Sequence, residues 1–350
     1  MPPSNKKQKN LLILRFSAMG DVAMTVPVVR ALVQQYPDLR VTMVSRWEYK
    51  PFFESIPGLS FFDADFNRKH KGVLGLWRLF KELRYLRVFA VADLHNVLRS
   101  KIITKLFAYR GKKTANTNKL RKERAALTAP QNKVFVQLPN VTQQHVEVLA
   151  KLGYPVDLTK VAFPARQELT DDITGTTGVK TGKWIGIAPF AQHRSKVYPK
   201  DLMLEVIYTL ANNPDNKIFL FGGGKQESKI LKQYAADKPN IIVIAGGTLI
   251  LKQELKLISN LDVMLSMDSA NAHMAAMLGI QVVTLWGATH PYAGFAPFMQ
   301  PLSNALVSNR EQYPLLPTSV YGNKEVPGYE DAMRTIAPTT VVNKINELLK

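Results

Sequence analysis

LLILRFSAMGDVAMTVPVVRAL, residues 11–32, is the stretch on which the reading of this chain turns. Residues 11–16 form a short apolar run with the length of a strand, and 22–35 carry the spacing of a helix. Between them lies Phe16-Ser17-Ala18-Met19-Gly20-Asp21-Val22, a turn from strand to helix. A second turn of the same kind, Asp268-Ser269-Ala270-Asn271-Ala272-His273, falls about 250 residues later. In open α/β sheets such turns lie at the carboxyl edge, where ligands bind. A helix N-terminus there presents unpaired N–H groups and a partial positive charge to a phosphate. One such turn in each half predicts an α/β protein of two domains facing each other across a cleft.

Working outward, apolar runs and helical patterns alternate as βαβ units do. Strands are predicted over 11–16, 39–44 and 88–94, with helices over 22–35, near 49–55, over 74–87 and over 141–152. Residues 166–183 (RQELTDDITGTTGVKTGK) are polar, rich in Gly and Thr and poorly periodic, which marks a linker. A second series follows, with strands at 184–188, 217–221, 241–244, 262–266 and 281–286 and helices between them. The segment 306–335 reads as irregular, and 339–349 as a closing helix. The predicted division is an N-terminal domain over 1–170, a linker over 171–183 and a C-terminal domain over 184–335. A last helix within 336–350 is free in this reading to pack back on the N-terminal domain.

A chain of 350 residues exceeds the usual single-domain size, and its 46% hydrophobic content supplies two cores. The sequence has no cysteine, which excludes disulfides, thiolate metal sites and cysteine nucleophiles. The first residues superficially resemble a signal peptide, but Arg15 and Asp21 interrupt the apolar stretch. No run is long and apolar enough for a membrane span, so a soluble cytoplasmic protein is expected.

The net charge of +19 is lopsided. Residues 1–170 hold 29 Lys and Arg against 12 Asp and Glu, a net of +17, whereas 171–350 hold 17 against 15. Between Arg68 and Lys133 there are 18 basic residues and only Glu82, Asp93 and Glu123 to oppose them. Such a face suggests an anionic partner, either phosphorylated lipid, a membrane surface approached peripherally or nucleic acid, with a solvated basic surface that serves solubility as the other reading. Nucleic acid is not expected as a partner, because aromatic residues are not interleaved with the basic ones and no binding module is present.

Residues 263–278, with Asp268-Ser269 at the start of a predicted helix, are followed by Gln281-Val282-Val283-Thr284-Leu285-Trp286-Gly287-Ala288-Thr289-His290-Pro291. Together these resemble the DSGxxHxAxALGxPVVxLFGPTxP stretch of glycosyltransferase family 9, the ADP-heptose:lipopolysaccharide heptosyltransferases and their relatives. Residues 11–32 are similar to that family's first strand and catalytic loop. The resemblance implies a GT-B architecture, two Rossmann-like domains facing across a cleft, with the donor held mainly by the C-terminal domain. It implies an inverting, metal-independent sugar transfer from a nucleoside diphosphate to an anionic glycolipid such as a lipopolysaccharide core.

The same resemblance assigns roles. Asp21 matches the catalytic base, which takes the acceptor's proton. Lys196, in Phe190-Ala191-Gln192-His193-Arg194-Ser195-Lys196-Val197-Tyr198-Pro199, matches a lysine that meets the departing diphosphate, with Arg194 assisting. Asp268, Ser269, Ala270 and His273 match positions that hold the donor's diphosphate and sugar. Gln226 and Glu227, after the glycines of Phe221-Gly222-Gly223-Gly224, fall beside the nucleoside ribose. Ser17, Met19 and Gly20 fall on the acceptor side with His95, Asn96 and Arg99, and with Arg68, Lys69 and Lys71. No cofactor is expected beyond a donor such as ADP-heptose. No metal is expected at Asp63-Ala64-Asp65, whose spacing belongs to a different glycosyltransferase fold.

The sequence departs from the family at Ala270, where glycine is usual, which narrows backbone approach to the donor. Three other readings stand beside the transferase. A nucleotide-sugar-binding protein without catalysis would follow if Ala270 compromised the site. A basic nucleic-acid-binding protein would follow from charge alone. An NAD-dependent dehydrogenase would need a GxGxxG after the first strand, and none is there. The donor's base and sugar, the acceptor hydroxyl and the oligomeric state stay open.

Overall fold

The computed structural model describes residues 9–236 and 238–350, so the basic residues before Lys9 in the signal-peptide reading lie outside the described residues. In chain order the elements are β1 (Asn10–Leu14), α1 (Met19–Ala23), α2 (Thr25–Gln35), β2 (Arg40–Ser45), β3 (Leu59–Asp63), α3 (Gly72–Arg84), β4 (Val88–Asp93), α4 (Leu98–Ala108) and β5 (Lys113–Asn116). There follow α5 (Arg121–Leu127), α6 (Val141–Lys151), α7 (Asp171–Thr177), β6 (Lys183–Ala188), α8 (Lys200–Ala211), β7 (Asn216–Gly222), α9 (Gly224–Ala235) and β8 (Ile241–Ala245). The chain ends with α10 (Leu251–Ile258), β9 (Val263–Met267), α11 (Ala270–Met277), β10 (Gln281–Trp286), β11 (Ala305–Val307) and α12 (Pro338–Leu348).

Two units divide these elements. The first runs to Lys119 and takes up Val141–Ala162; the second comprises Leu120–Asn140 and Phe163–Lys350. The boundaries differ from those read in the sequence. Leu120–Asn140 goes with the second unit because its polar groups bond there: Arg124 Nε donates to the Ala293 carbonyl at 3.0 Å and the Leu138 amide to Tyr292 at 2.9 Å. The predicted linker holds α7, and Lys180 Nζ reaches both Asp262 carboxylate oxygens at 3.0 Å, so this stretch is anchored. The last helix packs on α8 and β10 of its own unit.

In the first unit a parallel sheet of order β3-β2-β1-β4-β5 has β1 at its centre. Every residue of β1 is buried, as expected for a parallel strand covered by helices on both faces. Leu12 lies opposite Thr42 on one side and Val91 on the other. Helix α3 presents Leu76, Leu79, Phe80 and Leu83 to the core at helical spacing, where Phe80 meets Phe107 of α4 edge-on with ring centroids 5.0 Å apart. Gly75 is obligatory there: a Cβ would stand 2.2 Å from the His70 backbone.

The predicted helix over 22–35 is in fact two, α1 and α2, parted at Met24, and the helix near 49–55 is a 3-10 turn, Trp47–Phe53, with Pro51 inside it.

The second unit carries a parallel six-stranded sheet, β11-β10-β9-β6-β7-β8. Its core joins Ile185, Ile187, Leu220, Leu265 and Leu285 from the strands to Val206, Ile207 and Leu210 of α8 and Val341 and Ile345 of α12. Burying each such side chain contributes about 1.5–3 kcal/mol. Among the described residues no helix is long and apolar enough to cross a membrane.

Candidate functional site

Two clusters of polar side chains stand at the carboxyl edges of the two sheets, one in each unit. In the first, β1 ends at Leu14 beside the end of β4, whose Asp93 is its register partner. The chain then enters the turn that carries Asp21. Arg15 is buried at 7% exposure and spends its guanidinium three ways. Nη2 stands 2.7 Å from Asp21 Oδ2, Nη1 donates to the Leu94 carbonyl at 2.7 Å, and Nε donates to the Ser17 carbonyl at 3.0 Å. One side chain therefore ties β1, the 17–21 turn and the β4 loop together. Asp21 also accepts from the Ala18 amide at 3.3 Å, which caps its own short helix, yet its side chain keeps 31% of its surface exposed. A cap and an accessible carboxylate coexist here.

His95, which the sequence placed on the acceptor side, is bonded to the chain just before Ser17. It is 8% exposed, its Nδ1 accepts from the Phe16 amide at 3.3 Å, and burial, reinforced by the charges of Arg15 and Lys119, pushes its pKa down to about 3. It is a neutral imidazole that fixes the turn before Ser17. Asp93 stabilises the same loop from inside by accepting from the amides of His95 (2.9 Å) and Asn96 (2.7 Å). Asn96 adopts φ 50 and donates to the Thr117 carbonyl, so its side chain is engaged in holding the loop. Arg99 is exposed and lies over the Phe66 ring at 5.0 Å, while Phe66 meets Phe16 at 4.7 Å. Arg68 and Lys71 are exposed, and Lys69 pairs with Glu82 at 3.0 Å. Met19 is exposed, with Ser17 and Gly20 half-buried beside it. Asp63 and Asp65 both accept backbone amides, from Trp47 and from Asn67 and Arg68.

The second cluster gathers at the N-terminus of α11. Lys196 Nζ donates to the Asp268 carbonyl at 2.6 Å and stands 3.2 Å from its carboxylate Oδ2. The same Oδ2 accepts from Thr289 Oγ1 at 2.9 Å. Ser269 is the N-cap by backbone position, but its hydroxyl turns to Ser266 Oγ at 3.1 Å and bonds no amide of the helix. That leaves the first-turn amides of α11 without a side-chain cap, with a lysine beside them. Ala270 is the first helical residue and His273 is 7% exposed within the first turn. Alanine suits a helical position, so this departure from the family glycine costs the helix nothing.

The Lys196 loop is backed by close contacts. Ser195 donates to the Gly322 carbonyl at 2.6 Å and accepts from the Ala288 amide at 3.0 Å, and a Cβ on Gly287 would stand 2.4 Å from the Ser195 carbonyl oxygen. Arg194 projects exposed from the same loop. Glu227 Oε2 accepts from the Gly223 amide at 2.6 Å, which makes it a cap of α9, while Gln226 is exposed.

Similarity to known proteins follows this geometry. The family model for glycosyltransferase family 9 (heptosyltransferase) matches residues 76–327, most of the chain. The chain belongs to glycosyltransferase family 9. It is a glycosyltransferase. Among curated relatives of family 9, lipopolysaccharide core heptosyltransferase OpsX of Haemophilus influenzae is 25% identical over 295 residues, 83% of this chain and 82% of the relative. Lipopolysaccharide heptosyltransferase 3 of Escherichia coli is 24% identical over 304 residues, 82% of this chain and 85% of the relative. Among solved structures, a family 9 glycosyltransferase from Veillonella parvula superposes with a TM-score of 0.75 at 17% identity over 97% of both chains. The Escherichia coli heptosyltransferase WaaC with ADP gives 0.68 at 16% identity, over 97% of this chain and 99% of that one. The expected GT-B fold, two Rossmann-like parallel-sheet units, is therefore the fold of this family member.

Arg15 and Thr289 were not singled out as site residues in the sequence. The signal for Arg15 was an arginine closing an apolar strand six residues before the key carboxylate. Thr289 stood in the stretch that matches the family's GPTxP, but that it bonds Asp268 emerged only from the fold.

Proposed function

We propose that this enzyme transfers a heptose from ADP-heptose to the anionic core of a lipopolysaccharide, with inversion at the anomeric carbon. Three of the similar proteins support that choice by their names, which specify lipopolysaccharide core heptosyltransferase, lipopolysaccharide heptosyltransferase and heptosyltransferase with ADP. The observation that carries the reading is the gathering of Lys196, Asp268, Thr289 and Ser269 at the N-terminus of α11. A cation next to uncapped helix amides is a place for a diphosphate.

In this mechanism the Asp21 carboxylate accepts the proton of an acceptor hydroxyl as its oxygen forms a bond to the anomeric carbon. The bond from that carbon to the diphosphate oxygen breaks, and ADP leaves with the electron pair. Lys196 and the α11 amides stabilise the charge that develops on the leaving group, with Arg194 near by. Arg15 orients Asp21 without touching substrate. Asp268 contacts the donor sugar, His273 lies beside it, and Gln226 and Glu227 lie by the ribose. Arg68, Lys71 and Arg99 meet the acceptor's phosphates. No resident cofactor or metal takes part. Such an acceptor is lipid-linked, so the enzyme works peripherally on the cytoplasmic face of the inner membrane.

A thermal-shift panel of ADP, UDP, GDP, CMP and NAD tests the donor assignment. Stabilisation by ADP, lost in Lys196→Ala, is expected. Stabilisation by UDP or GDP instead would replace the donor, and by NAD alone would overturn the transferase mechanism.

A further inference from the structure

Helix α3 carries an outer face that the proposed chemistry does not use. Val73, Leu74 and Trp77 are exposed on it, Leu74 at 85% and Trp77 at 44%, and Tyr85 follows the helix at 79%. Leu74, Trp77, Lys81 and Tyr85 succeed one another at intervals of three or four, so they share one stripe, with Arg78 and Arg84 flanking it. Lys81 lies 5.7 Å over the Trp77 ring. The single acid of the helix, Glu82, is already occupied by Lys69 at 3.0 Å and His70 at 3.3 Å. Singly exposed apolar residues need no explanation, but an aromatic and aliphatic stripe edged only by cations without ion-pair partners among the described residues does.

The stripe leads to a hollow. At the amino edge of the first sheet, remote from the Asp21 turn at the carboxyl edge, a cavity of about 700 Å3 is lined by Lys9, Arg84, Arg87, Arg110 and Lys112 with Val88, Phe89 and Phe107. Arg84 closes α3, and Arg110 and Lys112 follow the end of α4, which packs on α3. No carboxylate lines the hollow, and none of the five cations forms an ion pair among the described residues. Helix C-termini stabilise an adjacent cation, which accounts for one or two of them; five around one cavity leave a net positive well. Tyr109, 88% exposed, directly precedes Arg110 in the chain.

We propose that the outer face of α3 and this basic hollow form one docking surface for an anionic phospholipid bilayer, with a headgroup phosphate seated among Arg84, Arg87 and Arg110. Trp77 and Tyr85 have the apolar body and polar tip that suit the headgroup level of a membrane, and Leu74 supplies apolar contact below it. The cations supply attraction to the negative surface. The inference deepens the lipid-acceptor reading and rests on it only for the choice of a membrane as partner.

The test is co-sedimentation of the full chain with phosphatidylethanolamine/phosphatidylglycerol vesicles and with phosphatidylcholine vesicles, at low and high salt. Binding to the anionic vesicles alone, weakened by salt, is expected. Arg110→Gln with Lys112→Gln should weaken it by about fivefold per charge removed. Leu74→Ser with Trp77→Ser should weaken it further, and Trp77→Phe should abolish a vesicle-induced blue shift of tryptophan emission. Lys229→Gln with Lys232→Gln, which removes two exposed charges from α9, should bind as the parent does. Equal binding by all variants, or equal binding to phosphatidylcholine, would each overturn the proposal. An ADP-induced thermal shift measured on the same samples separates the two readings. Vesicle binding without an ADP shift would sink the donor assignment alone, and an ADP shift without vesicle binding would sink the docking surface alone.

Discussion

Arg15 Nη2 lies 2.7 Å from Asp21 Oδ2, and the same guanidinium bonds the carbonyls of Ser17 and Leu94. A buried cation thus sets the direction of the carboxylate proposed as general base. Asp21→Asn is expected to lower kcat/KM by about 10²–10⁴ while the ADP thermal shift is kept. Steady-state rates with the donor saturating would check it, and an active Asp21→Asn would remove the mechanism.

Arg15→Lys keeps the charge but loses the fork that spans three acceptors. The expected result is a fall in kcat smaller than that of Asp21→Asn, with the donor KM unchanged. A change confined to the donor KM would show that Arg15 does not act through Asp21.

Lys196→Ala should lower kcat by about 10²–10³, as loss of one preorganised donor to a developing anion does elsewhere. Thr289→Val leaves Asp268 with one partner fewer and should raise the donor KM with a smaller effect on kcat. Steady-state rates over a range of donor concentrations, compared between the two variants, measure the difference.

His95 and His145 share a sign. Burial above all, then the charge of Arg15, holds both imidazoles down to about 3, so both are neutral in the fold at pH 7. An unfolded histidine titrates near 6.5, so their contribution to stability is full above about pH 6.5 and is lost as pH falls toward 3. Urea midpoints measured between about pH 7.5 and pH 4.5 should decline, and His145→Gln should flatten that decline.

Glu254 works in the opposite direction. Burial raises its carboxyl to about 7, so stability is full below the ordinary value of 4.5 and is lost as pH rises through 7. Glu254→Gln is expected to raise Tm at about pH 8 and to leave it unchanged at about pH 4.

Much of the fold was legible because parallel strands buried on both faces leave continuous apolar runs, as 11–16 and 281–286 do. The strands that escaped, β3, β5 and β11, lie at or next to sheet edges, where burial is partial and no run is imposed. The anchoring of 166–183 was illegible because contacts far along the chain hold it, such as Lys180 with Asp262.

By itself the sequence determined the family, the two strand-to-helix turns with Asp21 and Asp268 in them, and the loop that carries Lys196, because those features are local in the chain. Only the tertiary structure decided which partners each group has. Arg15 was recruited to Asp21 and Leu94, Thr289 to Asp268, and His95 became a neutral positioning group once burial withdrew its charge from water. The spread of +17 across the first half is written in the sequence. That Arg84, Arg87, Arg110 and Lys112 converge on one hollow is not, because Lys9 and β4 meet them there only through the pairing of β1 with β4 and the packing of α3 on α4.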